Sequence, residues 1–176
     1  MTAKRTILET WQGDWLRVDK ERVTLPNGHV IELDLVKHPG ATCIVPFTND
    51  DDVVLIRQFR PATGGEILEL AAGKLEAGEE PEACALRELE EETGYRAGRI
   101  EHLSSIWTTP GFTDEIIHLY AAFELEAVGQ DLQEDEVIEL VPMPLARALE
   151  LVFRGELNDG KSALALLLAA RHVGRL

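Results

Sequence analysis

Between Gly73 and Gly94 the chain carries a spacing of charges and glycines that restricts this stretch to one local shape. Glu88, Glu91 and Glu92 stand three and four residues apart, so on a helix their carboxylates project from one side. Pro81 suits the first turn of such a helix, and Gly94 suits the left-handed residue just past its end. The pattern therefore predicts a helix over Pro81–Thr93. Like charges at these spacings destabilise a free helix by about 0.2–0.5 kcal/mol per pair. A divalent cation between them reverses that sign, and hard oxygen donors suit Mg²⁺ or Mn²⁺. Arg87 lies four residues before Glu91, placed to brace a carboxylate or to meet a phosphate oxygen. Taken alone, the run Glu88–Glu92 is also what a solvated helix face carries. The loop before it, with Gly73 and Glu79 at fixed distances, separates the two readings.

Composition narrows the partners. The 176 residues fit one domain with a small appended subdomain, and 45% hydrophobic residues are enough for a real core. With 32 acidic against 17 basic residues the formal charge is −15, which repels polyanions and argues against nucleic acid as partner. Cys43 and Cys84 form no disulfide framework or zinc pattern and read as small core residues. No secretory signal is visible, and the apolar stretch Ala163–Ala170 is too short to span a bilayer. A cytoplasmic setting without membrane contact is the expectation.

The first forty residues read as β structure, with a turn at Pro26–His29 and a half-buried strand over Val30–Val36. The break at His38-Pro39-Gly40 marks a boundary between residues 1–39 and 40–176. Ala41–Phe47 and Val53–Phe59 flank Thr48–Asp52, a pattern that predicts a hairpin around a solvated acidic turn. Further strands are expected at Glu66–Leu70, Ile100–Thr108, Ile116–Phe123 and Val137–Val141. Helices are expected at Pro144–Arg154 and Ser162–His172. Strands mixed with a few helices give an α+β or three-layer α/β/α architecture.

The full constellation is Gly73, five residues, Glu79, seven residues, Arg87-Glu88, two residues, Glu91-Glu92, one residue, Gly94. It resembles the signature box of the Nudix hydrolase family at all seven fixed polar or glycine positions. Tyr95 departs from it, standing where that family has an aliphatic residue. The resemblance implies an α/β/α sandwich with a mixed sheet. It makes Glu88 and Glu92 metal ligands, Glu91 a ligand or a partner of metal-bound water, and the Ala72 carbonyl a further donor. Two or more Mg²⁺ ions are implied, with Mn²⁺ as a substitute. Arg87 and Glu79 are expected to tie the loop to the helix as a salt bridge.

Three further segments are similar to the ADP-ribose pyrophosphatase branch of that family: Arg57–Pro61, Glu66–Gly73, and Thr109–Glu115 with Pro110 sixteen residues past Gly94. That likeness implies a nucleoside diphosphate sugar as substrate and a homodimer in which residues 1–39 build the interface and part of the nucleotide pocket. It places Arg57, Arg60, Pro110, Gly111 and Glu115 at the substrate, although the two arginines equally suit surface pairs. A functional glutamate before the penultimate strand maps to Glu136 or its neighbour Glu134; with Glu91 and Arg87 these complete the candidate catalytic set. Trp11, Trp15 and Trp107 are candidates for stacking on a base, Trp107 being expected in the core. GDP-mannose or other nucleotide sugars stay open as substrates. So does a sensing module that binds without cutting, although such modules usually lose the carboxylates kept here.

Overall fold

The computed structural model describes residues 4–133 and 136–176. Its contacts divide into two units: Met1–Gly40 with Trp107–Ile116, and Ala41–Ile106 with Ile117–Leu176.

The first unit is an antiparallel sheet of β1 (Lys4–Gln12), β2 (Arg17–Thr24) and β3 (Val30–Lys37), in that order. Asn27 and Gly28 make the turn between β2 and β3. Asn27 Oδ1 accepts from the His29 N–H, and Gly28 takes a φ of 85° that L side chains disfavour. Every residue of β1 is exposed, so its sequence shows no alternation, and a bulge at Leu8 shifts its register. Two acids of β2 are buried with cations beside them. Asp19 meets Arg17 at 2.9 Å, and Glu21 meets Arg5 at 3.0 Å and Lys37 at 3.2 Å. The boundary expected from the sequence leaves out the segment Trp107–Ile116, which packs with this sheet. The Val36 N–H donates to the Phe112 carbonyl, and Asp114 takes the His38 N–H and the Lys37 ammonium. Trp107, expected in the core, is 57% exposed. Its strand leaves the second unit at that residue, beyond the last position its core covers.

The second unit contains two sheets. One is mixed, ordered β7 (Ala72–Lys74), β4 (Ala41–Pro46), β9 (Ile116–Ala127), β8 (Tyr95–Trp107), with β4 and β9 parallel. The other is antiparallel, ordered β10 (Ile138–Pro144), β5 (Asp52–Arg60), β6 (Gly65–Glu69). β4 is buried on both sides, and its alternation sorts two cores. Ala41, Cys43 and Val45, beside Ile117, Leu119 and Ala121 of β9, pack against α2 (Leu145–Phe153) and α3 (Gly160–His172). Ile44, with Tyr120 and Ala122, packs on Ala85 and Leu89 of α1 (Pro81–Thr93). Helices on both faces of a mixed sheet give the expected α/β/α layering.

The predicted hairpin around Thr48–Asp52 is not formed. β4 and β5 belong to different sheets, and the turn between them is closed by a bridge from Phe47 to Val53 and by the Thr48 N–H on the Asp52 carbonyl at 3.0 Å. The turn itself is as expected, an exposed loop ordered by Asn49, whose Oδ1 accepts from the Asp51 and Asp52 N–H groups. β4 pairs instead with β7 and β9, and β5 with β6 and β10. Both cysteines are fully buried. Burial pushes the Cys43 thiol up to about 12 and Cys84 up to about 11, so neither is a ready nucleophile.

Candidate active site on the acidic helix

Helix α1 starts at Pro81 and ends at Gly94, whose φ of 69° lets its N–H return to the Glu90 carbonyl. Leu89 and Ala85 dock it on the sheet. That docking turns Glu88 and Glu92 inward, where they are 8% and 3% exposed. Gly73 lies directly over Glu88. A Cβ at that position would sit 1.8 Å from the Glu88 carboxylate, which is why the loop needs glycine there. Glu92 Oε2 accepts the Ala72 N–H at 2.9 Å, so the helix and β7 share a carboxylate.

Arg87 ties the site together. Its Nε and Nη2 form a fork on Glu79 at 2.9 and 3.1 Å, the loop-to-helix bridge the sequence predicts. Its Nη1 donates to Glu88 Oε1 at 2.7 Å and to Glu91 Oε2 at 2.9 Å, and Nη2 reaches the Lys74 carbonyl at 3.3 Å. The Arg87 hydrogen bond, ahead of every other influence, holds the Glu79 carboxyl down at about 2.

Glu88 and Glu92 both shift the other way from Glu79. Burial, followed by the proximity of Glu88 and Glu136, drives Glu92 up to about 8 against the opposing Ala72 N–H. Burial also raises Glu88, with Arg87 opposing and Glu91 and Glu136 adding to the rise. These are buried carboxylates gathered in greater number than the nearby cations neutralise, an arrangement that divalent-cation binding would relieve. Among the described residues no three acids, histidines or cysteines already converge as a closed chelate. Glu88 and Glu91 turn toward the Arg87 guanidinium instead. The donor set of carboxylates and a neighbouring backbone strand is the hard oxygen chemistry that Mg²⁺ takes.

The last turn of α1 is capped from outside. The Val128 and Gly129 N–H groups donate to the Gly94 carbonyl, and the Asp131 N–H donates to that of Glu91. The Gln130 amide donates to the Glu92 carbonyl at 2.7 Å. This loop leads to Glu136, whose charge is felt at both Glu88 and Glu92. Glu134 lies outside the described residues. Sequence reasoning missed Gln130, because no local pattern announces a cap supplied from 38 residues away.

The structure thus gathers Ala72, Arg87, Glu88, Glu91 and Glu92, while the Glu136 carboxylate accepts from the Gln133 N–H at 3.0 Å. The other candidates fare differently. Arg60 adjoins Glu92 electrostatically, but its guanidinium is forked on the buried Glu69 at 2.7 and 3.1 Å. Among the described residues, Arg57 makes a loose, exposed pair with Glu139 at 3.5 Å. Pro110, Gly111 and Glu115 belong to the first unit. There Glu115 accepts from the Thr108 hydroxyl at 2.7 Å and lies 3.5 Å from His38. Trp11 and Trp15 are exposed in the same unit.

A mixed sheet between helices, with a glycine-led loop locked over a carboxylate-bearing helix, is a fixed scaffold of oxygen donors of the kind a hard cation takes. Residues 36–165 match the NUDIX domain family, and the chain belongs to that family. It is 45% identical over 160 residues to an ADP-ribose pyrophosphatase of Bacillus subtilis (strain 168), covering 90% of this chain and 86% of that one. It is 39% identical over 137 residues to a GDP-mannose pyrophosphatase of Salmonella typhimurium, covering 72% and 71%. A crystal structure of an ADP compounds hydrolase superposes with a TM-score of 0.83 at 25% identity, over 98% of this chain and 97% of that one.

Proposed function

We infer that this Nudix hydrolase cleaves the pyrophosphate bond of ADP-ribose or a related nucleoside diphosphate sugar, in a Mg²⁺-dependent reaction giving AMP and a sugar phosphate. The observation that carries the reading is the buried pair Glu88 and Glu92, held under Gly73 and Ala72 with Arg87 fastening the loop. The fit of these oxygens to hard cations supports Glu88, Glu92 and the Ala72 carbonyl as ligands, with Glu91 beside them. Two or more Mg²⁺ ions, for which Mn²⁺ substitutes, would activate water and neutralise charge on the phosphates.

This chain's own residues do the rest. Water oxygen bonds to one phosphorus, the bridging oxygen departs with the other phosphate, and a carboxylate takes the proton. Glu136, whose charge reaches Glu88 and Glu92, is one proposed proton acceptor. Glu134 is retained as the second candidate. Arg87 positions carboxylates and does not itself meet substrate, because its donors are already directed at Glu79, Glu88, Glu91 and Lys74. Arg57, whose ion pair among the described residues is long and exposed, is the freer arginine for a phosphate; Arg60, Pro110, Gly111 and Glu115 remain proposed substrate contacts. Ile7, Leu8, Trp11, Val30 and Ile31 are all exposed on the amino-terminal sheet, which supports a homodimer formed through it.

The names of the relatives favour an ADP-linked substrate; GDP-mannose is the second reading, supported by the Salmonella relative. The test is nucleotide release from ADP-ribose, GDP-mannose, NADH and a dinucleoside polyphosphate, each with Mg²⁺ and with chelator. Fast, chelator-sensitive AMP release from ADP-ribose is the expected result. Preference for GDP-mannose would shift the substrate and keep the chemistry. No turnover by folded, metal-loaded protein would leave a binding module.

A further inference from the structure

The stretch Leu70-Ala71-Ala72 is held by a different element at each residue. The Leu70 N–H donates to Ser162 Oγ of α3 at 2.8 Å. The Ala71 carbonyl accepts from Ile44 of β4 at 3.0 Å. The Ala72 N–H donates to Glu92 of α1 at 2.9 Å. Ser162 is fully buried, and its hydroxyl donates to Asp159 Oδ2 at 2.5 Å. That bond fixes the hydroxyl rotor, so the serine oxygen presents a lone pair to Leu70. Asp159 is fixed in turn: the same oxygen accepts from the Ser162 N–H at 3.1 Å and from Lys161 at 2.8 Å. Lys161 reaches the buried Glu69 at 2.6 Å, and Glu69 also takes the Arg60 fork.

Docking of α3 does not need the hydroxyl. Ala165, Leu166, Ala169 and Ala170 bury the helix in the core, and the Lys161–Glu69 pair already joins it to β6. What the Ser162 bond adds is the orientation of the backbone two residues before Ala72.

We propose that Ser162, oriented by Asp159, is a positioning residue for the metal centre, setting where Ala72 presents its carbonyl to a divalent cation and its N–H to Glu92. The inference rests on the metal-ligand reading given under Proposed function. Its test is Mn²⁺ binding to the full chain without substrate, read from the resonance signal of free Mn²⁺. Ser162→Ala should bind Mn²⁺ about ten-fold more weakly, as loss of an outer-shell partner does, and Asp159→Asn should fall between it and the wild type. Leu166→Val, which trims the same helix inside the core, should lower the melting temperature and leave Mn²⁺ binding unchanged. At saturating metal the KM for ADP-ribose should be unaltered in Ser162→Ala. Wild-type Mn²⁺ affinity in Ser162→Ala, or an equal loss in Leu166→Val, overturns the proposal. Should Ser162→Ala not fold, Asp159→Asn decides on the same terms. A wild-type protein that takes up no Mn²⁺ brings down the underlying metal reading, an outcome distinct from either.

Discussion

Two residues ahead of α1, Gly73 on β7 and Glu79 in the loop after it, show how little space the site leaves. Gly73 has room for no Cβ, since the Glu88 carboxylate fills the position. Gly73→Ala should therefore move Glu88 and abolish most metal-dependent turnover, while the melting temperature changes little because the site is at the edge of the core. Turnover within a few-fold of wild type would contradict that geometry. Glu79 is mostly buried and held at about 2 by the Arg87 fork. Its folded-state value lies below the unfolded one, so its contribution is present above about pH 4.5 and lost as pH falls toward 2. Wild type should exceed Glu79→Gln in unfolding free energy by up to about 3 kcal/mol at pH 7. The two curves should converge near pH 2 in a denaturant series, and a constant gap across that window would show that the fork is not the cause. Glu79, Arg87 and the three helix carboxylates were legible in the sequence because their relation is one of local spacing. Arg60 was not: its partner Glu69 lies on the adjacent strand, nine residues away, and only strand pairing brings them together.

At the scale of elements, α1 is fixed on the sheet by a small core of Ile44, Ala85, Leu89, Tyr120 and Ala122. Leu89 is its largest fully buried side chain from the helix. Leu89→Ala should cost about 2–5 kcal/mol, measured by urea unfolding. It should also impair turnover, since Glu88 and Glu92 flank that position. The bounds of α1, Pro81–Thr93 with Gly94 as its cap, were readable because proline and glycine mark helix ends by their own backbone preferences. The pairing of β4 and β5 was not readable. A turn signal reports that the chain reverses but carries nothing about whether the flanking strands bond to each other or to partners far along the chain. The network at the start of α3 was half visible. Asp159 with Ser162 three residues on is a helix-capping pattern, but its bond to Leu70 spans 92 residues.

For the molecule as a whole, the balance of charge matters more than any one pair. A chain of net charge −15 that also buries Glu88 and Glu92 together carries electrostatic self-repulsion when no cation is bound. Mg²⁺ or Mn²⁺ should therefore raise the melting temperature in proportion to the logarithm of its concentration above Kd, about 2.7 kcal/mol at a hundred-fold excess. Glu92→Gln should blunt that rise, as scanning calorimetry with and without chelator will report. An equal rise in both proteins would place the stabilising cation elsewhere. The α/β/α layering was legible as a class, because alternating strands and amphipathic helices leave few ways to bury both faces of β4. The joining of Trp107–Ile116 to the first forty residues was not, since no sequence pattern marks a segment that leaves one unit for another.

The loop Val128–Asp131 supplies donors to the Glu91, Glu92 and Gly94 carbonyls, so it grips the negative pole of α1. The last helical turn cannot fray without releasing that loop, nor the loop without exposing the turn. The amides of Val128, Gly129 and Asp131 should then exchange with solvent in step with those of the helix end, as a single opening unit. The end of α1 and the loop that holds it would then be lost and regained together.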